Sequence, residues 1–235
     1  MDSEITLPES HHAPAPEMKP FIMEVTIDAP PDAVWRAVSD PAEIRRWFGW
    51  EYPGLEEEIK FIFLGDGTQH PPQRLEFEGM GSLDIVPDGS RSVVRLVWAG
   101  GLADAKWDDI YDGMEEGWRT FFHQLKYYLE RRAGQDRRTL YLTGTAPAPS
   151  VVAALDAAVP GDEWQASRHQ RAVVPAADGV DLVSILSPAP LASGEPAKVS
   201  VTVTAYGLDD AAFEALRGEW ESRWSTLVEN PKIQS

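Results

Sequence analysis

Between Trp107 and Arg132 the chain places large apolar side chains at Trp107, Ile110, Tyr111, Met114, Trp118, Phe121, Phe122, Leu125, Tyr128 and Leu129. Steps of three and four residues put all of them on one stripe of a helix. Asp108, Asp109, Asp112, Glu115 and Glu116 load the first half of this segment with acid, and Arg119, Lys126, Arg131 and Arg132 load the second half with base. That order complements the helix dipole at both ends. At ~1.5 Å per residue such a helix runs close to 40 Å. An apolar stripe of that length has to be covered, and a sheet of several strands is the natural cover.

The preceding hundred residues supply one. FIMEVTID alternates Phe21, Met23, Val25 and Ile27 with polar side chains, the period of a half-buried strand. Pro30 and Pro31 then open a helix with Val34, Trp35 and Val38 on its apolar face. Asp40-Pro41 breaks that helix and caps a second short one bearing Ile44, Trp47 and Phe48, and Gly49 ends it. From residue 57 to 99 the pattern reads as strands: EIKFIFLG, QRLEFEG, GSLDIVPDGS and RSVVRLVWAGG, joined by glycine and proline turns. Short successive strands pair antiparallel. Glycines at 79, 81, 100 and 101 let the sheet bend around the long helix.

Charge and composition exclude several functions. With 38 acidic against 21 basic residues the net charge is −17, which repels a phosphate backbone, so no nucleic-acid partner is expected. The basic cluster Arg131, Arg132, Arg137 and Arg138 sits where cations complement a helix C-terminus. The chain has no cysteine, hence no disulfide and no thiolate site. No window approaches the ~20 apolar residues of a membrane span, so no membrane partner is expected and a cytoplasmic location is the default. Residues 1 to 19, rich in proline and without apolar periodicity, read as a flexible leader. Its adjacent His11 and His12 read as incidental.

After Arg138 the chain starts again. TLYLTGTAPAPSVVAAL laid over MEVTIDAPPDAVWRAV matches Thr143 with Thr26, Ala146-Pro147 with Ala29-Pro30, Val151 with Val34 and Ala154 with Ala37. Strands DEWQASRHQRAVV, GVDLVSILS and AKVSVTVTAYG follow, then a final helix in which Trp220, Trp224 and Leu227 stand in the places of Trp118, Phe122 and Leu125. This order predicts a duplicated architecture whose second member lacks the DPAEIRRWFG segment and two strands. The competing reading is that any unit of strand, helix, strands and helix looks this way. The expected organisation is a leader 1–19, a first domain 20–135 and a smaller second α+β domain 136–235. The second either packs on the first or offers a homodimer surface.

The combination IDAPPDAVWRAVSDPAEIRRWFG, IVPDGSRSVVRLVWAGGL and YDGMEEGWRTFFHQLKYYL, spanning residues 20 to 132, resembles the START-like superfamily (SRPBCC, helix-grip fold). Within it the residues are most similar to bacterial homologues of the heat-shock chaperone ATPase activator, the AHSA-like proteins. The resemblance implies an α+β fold in which an antiparallel sheet curls around the long C-terminal helix, with a second, smaller and degenerate copy following. It also implies a space between sheet and helix that is either plugged by large side chains or left as an apolar cavity.

The expected function is therefore non-enzymatic binding of a hydrophobic or aromatic small molecule in that cavity. The residues placed to face it are Trp35, Trp47, Trp50, Phe61, Phe63, Phe77, Trp98, Trp118, Phe121, Phe122 and Leu125, with Trp50 and Tyr52 in the aromatic loop WFGWEYPG as the gate. Each could instead be plain core packing. The sequence carries no GxSxG, HExxH, GxGxxG or P-loop motif and no spaced metal ligands, so no catalytic residue, metal or cofactor is expected. His123 lies off the apolar face and is expected at the surface, and Glu76 and Glu78 on the wet side of the sheet opposite Phe77. The alternatives are a chaperone-related interaction module, or an enzyme on the same scaffold, which would need polar residues inside the cavity.

Overall fold

A computed structural model describes residues 20–98, 113–176 and 179–235. The predicted leader, the Trp107–Asp112 start of the long helix and the glycines at 100 and 101 lie outside the described residues.

Strand β1 (Phe21–Ile27) buries Phe21, Met23, Val25 and Ile27 and leaves the intervening residues outward, as the alternation predicts. Helices α1 (Pro31–Ser39) and α2 (Pro41–Ile44) follow, and the Asp40 carboxylate caps α2 by accepting a bond from the Ala42 N–H at 2.9 Å. Helix α3 (Leu55–Phe63) is a correction, because EIKFIFLG was expected to be a strand. Leu55, Ile59 and Phe63 recur every four residues and are buried together, while Glu56, Glu57 and Glu58 sit in the first turn where the helix dipole favours acid. A short apolar run fits both periods, and here the capping charges decide for the helix. In consequence Phe61, expected to face the cavity, points to solvent at 71% exposure.

Strands β2 (Gln69–His70), β3 (Arg74–Phe77), β4 (Gly81–Asp88) and β5 (Arg91–Trp98) complete an antiparallel sheet of order β1-β5-β4-β3-β2. Glu76 lies on the face opposite the buried Phe77, as expected. Helix α4 (Gly113–Tyr127), extended by a π-helical turn over Tyr128–Arg132, packs across β1.

The second half repeats the plan. Strand β6 (Arg137–Pro147) leads into α5 (Ala148–Ala158). Then come β7 (Gly161–Ala166), β8 (Gln170–Pro175), β9 (Leu182–Leu186) and β10 (Pro196–Tyr206), followed by α6 (Asp210–Leu227) and β11 (Glu229–Gln234). The second sheet runs β11-β6-β10-β9-β8-β7, so its inner order β6-β10-β9-β8-β7 copies β1-β5-β4-β3-β2. No strand has been lost, contrary to expectation. DEWQASRHQRAVV is a β7–β8 hairpin rather than one strand, and β11 is an addition. What the second copy lacks is the counterpart of α2 and α3.

The sheets share the long helix. One face of the second sheet, with Leu140, Leu142, Val183, Ile185, Val199, Val201 and Val203, packs on α5 and α6 around Phe213, Trp220 and Trp224. Its other face turns towards α4 and the first unit, where Ala172, Leu182 and Tyr206 join the core built on the first sheet. The layers are therefore sheet, helices, sheet, helices, with α4 covered on two sides. The stripe that most constrained the sequence is wide enough for both.

Candidate functional site

The aromatics of the first unit meet one another. Phe48 and Phe63 have ring centroids 5.1 Å apart, Trp47 and Phe63 5.7 Å, and Trp118 lies 6.0 Å from both Phe77 and Trp98. Phe122 sits 5.9 Å from Trp118. Trp47, Phe63, Phe77, Trp98, Trp118, Phe122 and Leu125 are all buried, and the Trp47 indole donates to the Ala37 carbonyl at 2.7 Å. Rings in these edge and tilted contacts fill the space between the first sheet and α4. Trp35 packs, half-buried, on the same core.

A cleft of about 290 Å³ beside α3 and β3 is lined in part by Phe61, Phe63 and Phe77 together with Glu76 and Glu78, and a further open space lies on the opposite side of α4. A cavity of about 280 Å³ separates the helix from the second sheet. Of the residues expected to face a ligand, Trp50 and Phe121 line it. Tyr52 stands beside it with its ring centroid 6.1 Å from that of Trp50, and its hydroxyl donates to Glu58 at 2.5 Å. Burial and this carboxylate push the Tyr52 pKa up to about 12.

The loop that carries these rings is built for two destinations. Trp47 and Phe48 enter the core, and Gly49, at φ +59°, turns the chain so that Trp50 faces the second sheet. A Cβ at Gly49 would also press on Leu55 at 3.2 Å. Beyond the turn Trp50 stacks on Tyr141 of β6, with ring centroids 4.0 Å apart and planes 8° from parallel. Glu51 anchors the loop to the same strand: its N–H donates to Thr139 Oγ1 at 2.7 Å and its carboxylate accepts from the Thr139 N–H at 3.3 Å.

Buried Arg137 closes the anchor. Its guanidinium donates to the Trp47 carbonyl at 2.6 Å, to the Phe48 carbonyl, and to Gln124 Oε1 at 3.2 Å. Burial lowers the Arg137 pKa and raises that of the neighbouring Tyr206. The loop, β6 and α4 are thereby held to one another around a single cation.

The floor of the cavity is a row of hydroxyls. Strand registry places Tyr141, Thr202 and Ser184 directly beside one another across β6, β10 and β9, and the next row brings Ser200 against Leu186. Tyr141, Ser184 and Thr202 take no side-chain hydrogen bond from another described residue, whereas Ser200 donates weakly to the Leu186 carbonyl at 3.4 Å. On the helix side Gly117, Thr120, Phe121 and Gln124 complete the wall. An added Cβ at Gly117 would meet nothing within 4 Å, so the missing side chain is part of the empty volume.

Behind Thr120 lies a buried carboxylate. Thr120 Oγ1 donates to Gln170 Oε1 at 2.9 Å, and the Gln170 amide nitrogen donates to the Glu116 carboxylate at 2.5 Å. Ser167 adds a further bond to Glu116 at 3.2 Å. Glu116 is thus satisfied within the protein and does not line the cavity.

Sequence reasoning missed the hydroxyl row, Gln124 and Arg137. The signal was present in β10, where SVTVTA alternates valine with serine or threonine rather than with charge. A strand whose second face is hydroxyl-bearing and uncharged suits a buried polar wall better than a solvent face. His123, expected outside, is partly buried on α4 with its Nδ1 unpaired, and burial assisted by Arg119 and Lys126 pulls its pKa down to about 4. The Trp164 indole donates to its backbone carbonyl at 3.1 Å.

No family model matches the chain, and no curated protein matches it. Among solved structures the chain is similar to DynU16, a protein of the dynemicin biosynthetic locus, at 14% identity over 89% of this chain and 96% of that one, with a TM-score of 0.35. The di-domain ARO/CYC protein BexL of the BE-7585A biosynthetic pathway is similar at 16% identity over 89% and 96% of the two chains, TM-score 0.34. An AHSA1-like protein of Rhizobium etli is similar at 24% identity over 48% of this chain and 84% of that one, TM-score 0.34. At such scores these likenesses carry nothing about what this chain binds.

Proposed function

We propose that the protein binds a hydrophobic or aromatic small molecule in the cavity between α4 and the second sheet. One observation carries the reading: a space of about 280 Å³ is lined both by the aromatic rings of Trp50 and Phe121 and by the hydroxyl-bearing row Tyr141, Thr202 and Ser184. Ligand sites run ~300–1,000 Å³ with a few polar groups set in apolar walls, and this one stands at the small end, the size for two or three fused or linked rings. The lining holds no Asp, Glu, His, Lys or Arg. Tyr141 is then the one wall side chain among the described residues able to act as a general acid or base, and no described residue hydrogen-bonds its hydroxyl, which favours binding over catalysis as the cavity's role.

The same reading divides the chain into units 20–135 and 136–235 that meet over the cavity, with Trp50 from the first stacked on Tyr141 of the second. Filling the Gly117 void tests it. Gly117→Leu is expected to abolish binding of 2-acetylnaphthalene, measured by equilibrium dialysis, while leaving the far-ultraviolet circular dichroism unchanged. Undiminished binding by a folded G117L protein would count decisively against this site.

A further inference from the structure

Gln124 is 2% exposed, lines the cavity and touches Arg137. An arginine has donors and no acceptor, so the group Gln124 turns towards it has to be its amide oxygen. The opposite rotamer would set an NH₂ against a buried guanidinium. Arg137 is itself held by the carbonyls of Trp47 and Phe48, so it cannot turn away to accommodate a flipped amide. No described residue accepts from the Gln124 amide nitrogen.

One turn earlier on the same face, Thr120 has two acceptors within reach of its one proton, Gln170 Oε1 at 2.9 Å and the Glu116 carbonyl at 3.1 Å, and neither can donate back, because Gln170 uses its own amide nitrogen on Glu116. Thr120 is therefore left with acceptor lone pairs only. Side chains four apart on a helix stand ~5–6 Å from one another. The helix wall thus offers a fixed donor at Gln124 and a fixed acceptor at Thr120, each oriented by a buried partner outside the cavity, while the hydroxyls of the sheet wall can rotate to either role.

We propose that Gln124, oriented by Arg137, is the specificity-determining donor of this site, and that it selects an uncharged aromatic ligand bearing a carbonyl oxygen. The inference rests on the binding function proposed above. An acceptor on the ligand satisfies a buried N–H that hydrocarbon would leave unpaired, and sites with oriented polar groups reject analogues that cannot pair them. A carboxylate is disfavoured as the ligand's oxygen, because the wall holds no cation and Arg137 is already committed to three protein acceptors. Arg137 acts here as a positioning residue.

The test compares 2-acetylnaphthalene, 2-ethylnaphthalene and 2-naphthoate by equilibrium dialysis against the full chain. Wild-type protein is expected to prefer the ketone over the hydrocarbon by roughly tenfold, the ratio that ~1.4 kcal/mol for one hydrogen bond supplies, and to bind the carboxylate least. Gln124→Met should bring the ketone-to-hydrocarbon ratio to within twofold, with hydrocarbon affinity retained. Arg137→Lys, confirmed folded by circular dichroism, should lower the same ratio, which a merely structural role would leave alone. A ratio that survives Q124M, or equal binding of ketone and hydrocarbon by wild type, overturns this inference and leaves the cavity standing. Failure of all three compounds to bind overturns both.

Discussion

At the residue scale the site depends on side chains that serve two masters. Trp50 stacks on Tyr141 and walls the cavity at the same time, so Trp50→Ala is expected to cost about 1 kcal/mol of stability and to weaken binding of an aromatic ligand at least tenfold, read by urea melts and equilibrium dialysis respectively. Gly117 behaves in the opposite sense. A glycine inside a helix costs ~0.5–1 kcal/mol relative to alanine, and with no atom within 4 Å of an added Cβ, Gly117→Ala should raise the melting temperature. A lower one would show that the residue is held for backbone reasons. His123 titrates in the native state at about 4, below its ordinary 6.5. Between those values the unfolded chain binds the proton and the native chain does not, so stability is full above pH 6.5 and declines as the pH falls towards 4, by on the order of 2–3 kcal/mol. His123→Gln should flatten that decline in urea melts taken from pH 7 to 4, and an unchanged slope would assign it to other groups.

At the element scale, what could be read from the sequence was set by how far each pattern excluded its rival. The stripe of α4 from Trp118 to Tyr128, the alternation of β1 and the Asp40-Pro41 cap stand in the structure, while Met114 of the predicted stripe is exposed and Trp107, Ile110 and Tyr111 lie outside the described residues. LEEEIKFIF fits both periods, and its three glutamates were the discriminating feature. The aromatic gate was half legible: WFGWEYPG announced surplus rings, but nothing in the sequence divides Trp47 and Phe48 in the core from Trp50 at the cavity, since the division depends on strand β6 some 90 residues later. The hydroxyl floor was written in β10 and needed its neighbours' registry to be recognised. That strand yields a prediction of its own. Val201, fully buried on the α6 side, and Thr202, on the cavity side, are adjacent and of equal size. Val201→Thr should destabilise by ~1–3 kcal/mol, because it buries an unpaired hydroxyl in hydrocarbon, whereas Thr202→Val should be neutral or stabilising, because it removes a hydroxyl with no protein partner. Equal effects at the two positions would mean that β10 does not present the faces described.

For the whole molecule, the decisive arrangement is one helix between two sheets. Separate domains joined by a linker would each close their own core, yet here Ala172, Leu182 and Tyr206 of the second half complete a core built on the first sheet. Polar contacts run the same way. Arg46 pairs with Asp136 at 3.1 Å and Tyr206 donates to the Arg46 carbonyl at 2.7 Å. Tyr127 reaches Asp181 at 3.3 Å, and Arg132 pairs with the same carboxylate. The Arg46–Asp136 pair, with Asp136 exposed, adds little, whereas Asp181, Tyr127 and Tyr206 are buried polar groups that need these partners, and the apolar rings beside them are worth ~1.5–3 kcal/mol each when buried. Neither half can release α4 without exposing rings of the other. The chain is therefore expected to unfold in one transition, with fluorescence of its tryptophans and far-ultraviolet circular dichroism giving coincident urea curves. A fragment of residues 136–235 made alone would bare the face carrying Trp164, Leu182 and Tyr206, and is expected to melt at lower urea than the full chain and to associate with itself in sedimentation. Two resolved transitions in the intact chain, or a fragment as stable as the whole, would mean that the second sheet does not need the helix. The cavity between them would then open and close with domain motion instead of standing preformed.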